Sequence, residues 1–461
     1  MEITPKIRAE IQTYLKEKGL SKTQFGHIAG LNPGTMSGIL TSNRPISVYQ
    51  LDLITAGMNL PPDHFYERYV EECTVDEPIN WRRICPFLYR CVQFHRLDCL
   101  QRVVSVLLDN LGYLPNLFEL AEASFQNGYQ DAAAYLYENI AESEKQQHSE
   151  RLALSHYRLF QIAVGKDQNR NMDAAAKFES FVHRLHEADQ LDALKDLANV
   201  YRALSQWDKV YKYAKQMGQL GRIYYDMVHN SERKEKEPQK KLSRPLFVYI
   251  AYAELMCANA CDAKGDHEQA LVHLQGYADL SWVKESDSDT LHWLGQFQHW
   301  AKINRYVNKL MSGDVSVLPD YVEYMAGEKV IFAELLNVIE AANRYNIDVD
   351  HILRRFEPHI TAYQEVPSTD MYTKQFLPQQ YARFWYKMAN YSLNKGRYSY
   401  GFECLLVAWE HALTINNQLI ISNCARLFER FSVKAVLETG RKLQKMWNEI
   451  DQKDGFALGS S

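Results

Sequence analysis

Apolar residues recur at intervals of three and four along almost the whole chain, as in LFELAEASF (117–125), LKDLANVYRAL (194–204) and FWYKMANYSL (384–393). That spacing gathers them on one face of a helix, and no convincing run of alternating apolar and polar residues suits a strand. The pattern predicts an all-α protein.

Residues 1–70 should hold short helices with clear start signals. Ser21 with Gln24 three places on reads as a capping box, Asn32 before Pro33 as an N-cap, Ser47 as a further cap, and Pro61 and Pro62 as the opening of a last helix. Residues 71–112 read as connecting helices, and residues 113–430 as a long run of helical hairpins. Residues 431–461 form a last helix and tail, which either caps the run or joins two copies. One polar stretch, NSERKEKEPQKKLSRP (230–245), interrupts the run with charges of both signs and reads as a solvated loop.

Repetition within 113–430 decides the architecture. DAAA occurs at 131–134 and again 42 residues later at 173–176. Three further segments align more finely. Ala198, Ala258 and Ala389 are small positions on the first helix of a hairpin, and Val210, Ala270 and Gly401 are slim positions on the second, so the two helices can lie close together. Trp207 and Tyr398 are placed to fill the space beside the turn.

Composition adds limits. The 461 residues are 46% hydrophobic and 24% charged, and the formal net charge is -5, so any contact with nucleic acid must be local. The eight cysteines form no metal-binding spacing, although Cys257 and Cys261 share a helical face, and they read as reduced thiols. No apolar leader or run of eighteen apolar residues is seen, which gives a cytoplasmic expectation with no membrane partner. Phosphate-loop, HExxH and GxSxG motifs are absent, and His292 and His299 read as aromatic packing. Neither a cofactor nor an enzymatic activity is expected.

The hairpin pattern resembles the tetratricopeptide repeat, which implies a right-handed superhelix with a concave inner wall. In that repeat the residue after the first small position faces the groove. Here it is Asn199, Asn259 and Asn390, whose carboxamides can pair with the backbone of an extended peptide whatever its side chains. Lys195, Arg202 and Arg383 lie on nearby turns and suit a peptide carboxylate.

Residues 21–41 resemble a helix-turn-helix of the phage-repressor (XRE-like) type. Phe25, Leu31, Met36 and Ile39 take the inner positions, Gly26 the helix crossing and Gly30 the turn. The resemblance implies base contacts from Asn32, Thr35 and Ser37, and backbone contacts from Lys22, Thr41, Asn43 and Arg44. Residues 1–69 hold seven Lys/Arg against six Asp/Glu, so two copies would have to act together.

The two parts in this order resemble the peptide-pheromone receptors of Gram-positive bacteria and their phages, the Rap, NprR, PlcR and PrgX group with the arbitrium receptors as relatives. That resemblance implies a homodimeric transcription regulator that binds operator DNA and senses a short linear signalling peptide. The alternative is a protein-interaction module that sequesters or modulates another regulator without sequence-specific DNA binding.

Overall fold

The computed structural model describes residues 7–41, 44–74, 79–146, 149–230, 242–327, 331–361, 371–435 and 440–448. Among them every regular element is helical. The chain forms two compact units, residues 1–159 and 160–461.

The first unit comprises α1 (Ile7–Lys18), α2 (Lys22–Ile28), α3 (Pro33–Thr41), α4 (Val48–Gly57), α5 (Tyr66–Cys73), α6 (Trp81–Gln93), α7 (Leu97–Leu107), α8 (Leu114–Gln126), α9 (Gln130–Ser143) and most of α10 (Glu150–Ala163). Ile7, Ile11, Phe25, Met36, Ile39, Leu51 and Ile54 are fully buried and form the core of its first helices. The capping boxes at Ser21 and Ser47 are both made. Gly30 takes a left-handed φ of 69°. A Cβ on Gly26 would stand 3.2 Å from the Leu31 carbonyl oxygen, so the crossing of α2 and α3 requires a residue this small. Pro61 and Pro62 do not open a helix directly; a turn follows them, and α5 begins at Tyr66.

α5 is tied to the helices after it by aromatic and ionic contacts. Phe87 of α6 meets Tyr66 and Tyr69 edge-on at 5.2 and 4.9 Å. Arg96, between α6 and α7, pairs with Asp63, Glu67 and Asp98 at 2.7–2.8 Å. These contacts bind the segment expected to be a connector into the same packed body as the helices before it.

The second unit comprises α11 (Gln168–Phe178), α12 (Glu187–Ala203), α13 (Trp207–Asn230), α14 (Leu246–Lys264), α15 (His267–Ala278), α16 (Ser288–Ser312), α17 (Leu318–Met325), α18 (Phe332–Tyr345), α19 (Asp350–Arg355), α20 (Glu357–Thr361), α21 (Met371–Asn394), α22 (Tyr398–Thr414), α23 (Gln418–Phe431) and a last helix, α24 (440–448). Successive helices pack as hairpins from α12 to α16 and from α21 to α23. By length and composition α14 could cross a membrane, and 67% of its apolar stretch is buried inside this unit.

One turn recurs through both units. At the ends of α6, α8, α12, α14, α21 and α22 the chain places His95, Gly128, Ser205, Gly265, Gly396 and Asn416 at positive φ. In each case the next residue donates its N–H to the carbonyl five places back, at 2.8–2.9 Å, as Gln206 does to Tyr201, Asp266 to Cys261 and Arg397 to Ser392. This closure satisfies helix-end carbonyls and reverses the chain at once, which gives these six turns the same geometry.

The small positions then allow close approach. Ala198, Ala258, Ala389, Val210 and Ala270 are buried. A Cβ on Gly401 would fall 2.7 Å from the Leu393 Cγ, well inside van der Waals contact.

The second unit also closes on itself. The Gln168 N–H donates to the Ile415 carbonyl at 2.8 Å, the Asn416 amide donates to Asp167 at 2.7 Å, and α12 packs against α21. Its first and last hairpins therefore meet beside the space between the helices.

Candidate functional site

The closure of the second unit creates two adjoining cavities. The larger, about 670 Å³, lies among α12, α14, α16, α18 and α21. The second, about 550 Å³, reaches the seam where Gln168 and Asn169 meet Asn416 and Asn417. Trp207, Asp262, Asn337, Gln379 and Arg383 line both, so the two cavities share a wall.

Five of the six residues expected to meet a peptide line the larger cavity: Lys195, Asn199, Arg202, Asn259 and Arg383. Asn390 does not. Its amide nitrogen donates to Asn343 at 2.9 Å and its oxygen accepts from Asn394 at 3.1 Å, so it joins α21 to α18 instead. Equivalent repeat positions diverge here because α21 is flanked by α18, whereas α12 faces the cavity.

The carboxamides that do line the cavity are half used. Asn199 is 6% exposed and its Oδ1 accepts from the Tyr252 hydroxyl at 2.6 Å, while its Nδ2 has no partner among the described residues. Asn259 is the converse: its Nδ2 donates to the Leu255 carbonyl at 2.8 Å, and its Oδ1 has no partner among the described residues. Asn304 donates to Tyr277 at 3.0 Å and Asn337 to Tyr321 at 3.4 Å, and the Gln379 side chain makes no hydrogen bond among the described residues. These amide groups border the cavity and match a ligand that supplies complementary N–H and C=O groups.

The cations are less available than their types suggest. Lys195 sits 2.9 Å from Asp192 and 3.7 Å from Asp196. Burial alone would lower its pKa, but Asp196 and Asp192 outweigh this and raise it. Arg383 pairs with Glu340 at 2.6 Å, and Lys387 reaches the same carboxylate at 3.1 Å. Burial would raise the Glu340 pKa, and the two cations hold it below its ordinary value. The Arg202 guanidinium lies 4.8 Å from the centre of the Phe376 ring. Arg244 covers Trp293 at 5.3 Å and has no carboxylate partner among the described residues.

Sequence reasoning missed the aromatic part of this wall. Trp293, Trp300, Tyr252 and Phe376 line it. The segment HWLGQFQHW (292–300) was the available signal, and its rings do pack: Trp300 meets Phe297 edge-on at 5.3 Å and stands 6.3 Å from Trp293. His299 faces the Tyr324 hydroxyl at 2.8 Å. Among the described residues no cluster of three or more His, Cys, Asp or Glu could hold a metal ion, and all eight cysteines are free.

In the first unit, Asn32, Ser37, Thr41, Lys22 and Arg44 are exposed and Thr35 is half-buried. Asn43 lies outside the described residues. Asn32 Oδ1 accepts from the Gly34 N–H at 2.8 Å, which leaves its amide nitrogen for other contacts. Lys22 Nζ donates to Thr41 Oγ1 at 2.8 Å, so two residues expected to hold phosphates hold each other. A Cβ on Gly38 would stand 3.8 Å from the Arg44 Cδ, and the Arg44 guanidinium has no partner among the described residues. Arg8 donates to the Ile39 and Arg44 carbonyls at 3.1 and 2.9 Å and pairs with Glu72 at 2.9 Å, fixing the end of α3 and the loop after it.

Compared with protein-family models, curated proteins and solved structures, the chain finds no match.

Proposed function

We propose that this chain is a DNA-binding transcription regulator whose second unit senses a short linear peptide. In this reading α2 and α3 act as a helix-turn-helix, and the hairpins of the second unit form a degenerate tetratricopeptide-like superhelix around the ligand. The observation that carries it is the larger cavity, whose half-satisfied carboxamides offer donors and acceptors beside Trp293, Trp300 and Phe376. A peptide backbone supplies the matching groups at regular spacing, and its apolar side chains would cover the rings. Two copies would present two α3 helices, and a change in their spacing would alter simultaneous docking on half-sites.

The test is a gel-shift with DNA flanking the gene, with and without synthetic peptides from adjacent short reading frames. A specific complex altered by one peptide supports the reading. Asn199→Ala and Asn259→Ala should abolish the peptide effect, whereas Asn390→Ala should keep it. Arg44→Ala combined with Asn32→Ala should weaken the complex.

A second reading, an interaction module without sequence-specific DNA binding, draws on α3 itself, whose sequence PGTMSGILT carries no charge. Absence of any DNA complex, with the protein folded and dimeric, would favour it.

A further inference from the structure

α16 presents a second face that the peptide cavity does not use. Trp293, Trp300, Ile303, Asn304 and Val307 look into the cavity. Lys302, Arg305 and Lys309, at spacings of three and four, line a separate pocket of about 450 Å³ together with Ala278, Gln298 and Tyr306.

Nothing in that lining is acidic. The Arg305 and Lys309 side chains form no ion pair or hydrogen bond among the described residues, and Lys302 stands 4.1 Å from the centre of the Tyr324 ring. Elsewhere in this unit Lys195, Lys209, Arg222, Lys264, Arg383 and Lys387 each have a carboxylate, whereas Arg244 has none among the described residues. In a chain with 57 acidic and 52 basic residues, this pocket gathers three cations and no acid in its lining. The end of α15 at Ala278 borders the same pocket.

We infer that this pocket binds a phosphorylated small molecule, with its phosphate held by Lys302, Arg305 and Lys309. Guanidinium forks and ammonium groups match the charge and multiple acceptor oxygens of a phosphate, and the Tyr306 hydroxyl and Gln298 amide add further donors. A single carboxylate would leave most of this charge unanswered. The pocket exceeds what a bare phosphate ion fills and falls within the roughly 300–1,000 Å³ range of small-molecule sites, which leaves room for an attached organic group.

The test is calorimetric titration of the full-length protein, in phosphate-free buffer, with inorganic phosphate, ribose 5-phosphate and adenosine triphosphate. Saturable binding of at least one is expected, with the dissociation constant raised about tenfold or more in Arg305→Gln/Lys309→Gln and the thermal midpoint unchanged. Preference for the two organic phosphates supports the attached group, whereas binding of inorganic phosphate alone overturns that part and leaves a simple anion site. No saturable binding, or equal binding by the double variant, overturns the site itself. If the double variant fails to fold, Lys302→Gln carries the same comparison at an exposed position.

Discussion

α3 and α12 both carry candidate ligand contacts, and they are built in opposite ways. α12 buries eleven of its seventeen residues, and its polar groups Lys195 and Asn199 are already engaged by Asp192 and Tyr252. α3 buries three of nine, and the Thr35 and Ser37 side chains it turns outward make no hydrogen bond among the described residues. One surface is preorganised by packing. The other is held mainly at its ends, by the Asn32 cap and by Arg8, and keeps small uncharged groups free for a partner.

The largest effect should come from the packed helix. Leu197 is fully buried, and Leu197→Ala should cost about 2–5 kcal/mol in urea denaturation. A loss under 1 kcal/mol would mean that α12 is not the framework described here.

Arg8→Ala tests the other half. It removes two carbonyl contacts and a part-buried ion pair, and should cost about 1–3 kcal/mol. Amide exchange should quicken at the end of α3 and stay unchanged in α12. Equal protection in wild type and variant would show that α3 is held otherwise.

A pH series sharpens the electrostatic side of the cavity. Burial raises the Glu340 pKa, but Arg383 and Lys387 hold it below its ordinary 4.5. A carboxylate with a lowered folded pKa stabilises above its unfolded value and loses that contribution as pH falls through the folded one. The thermal midpoint of wild type should therefore exceed that of Glu340→Gln near neutral pH, and the gap should narrow below pH 4.5. A gap that is constant from neutral pH to pH 3 would remove the ion pairs from the account.

The smallest effect concerns a cap. Ser21→Ala should destabilise the first unit by about 1 kcal/mol, since it removes the acceptor for the Gln24 N–H. Ser21→Asp should restore most of it, and failure to do so would point to a contact other than the cap.

What was legible in the sequence was local. The apolar period gave the all-helical class, and Ser21, Asn32 and Ser47 announced their caps because a cap depends only on residues two or three places on. Gly26 and Gly401 announced close approach, since an added Cβ would press on Leu31 and Leu393, and Gly30 announced a turn at positive φ. The positive φ at Ser205 and His95 was not legible, since neither residue type signals a left-handed turn.

The tertiary structure decided the rest, for a physical reason. Whether a polar side chain faces a ligand or a neighbour depends on which helix lies opposite, and that helix can be far away in sequence. Asn199 and Asn390 occupy equivalent repeat positions, yet one borders the cavity and the other pairs with Asn343. Lys195 and Arg383 carry the right charge for an anion, but Asp192 and Glu340 already meet it. The cavity itself exists because residues 167–168 meet residues 415–416, a closure across more than two hundred residues that no local pattern encodes.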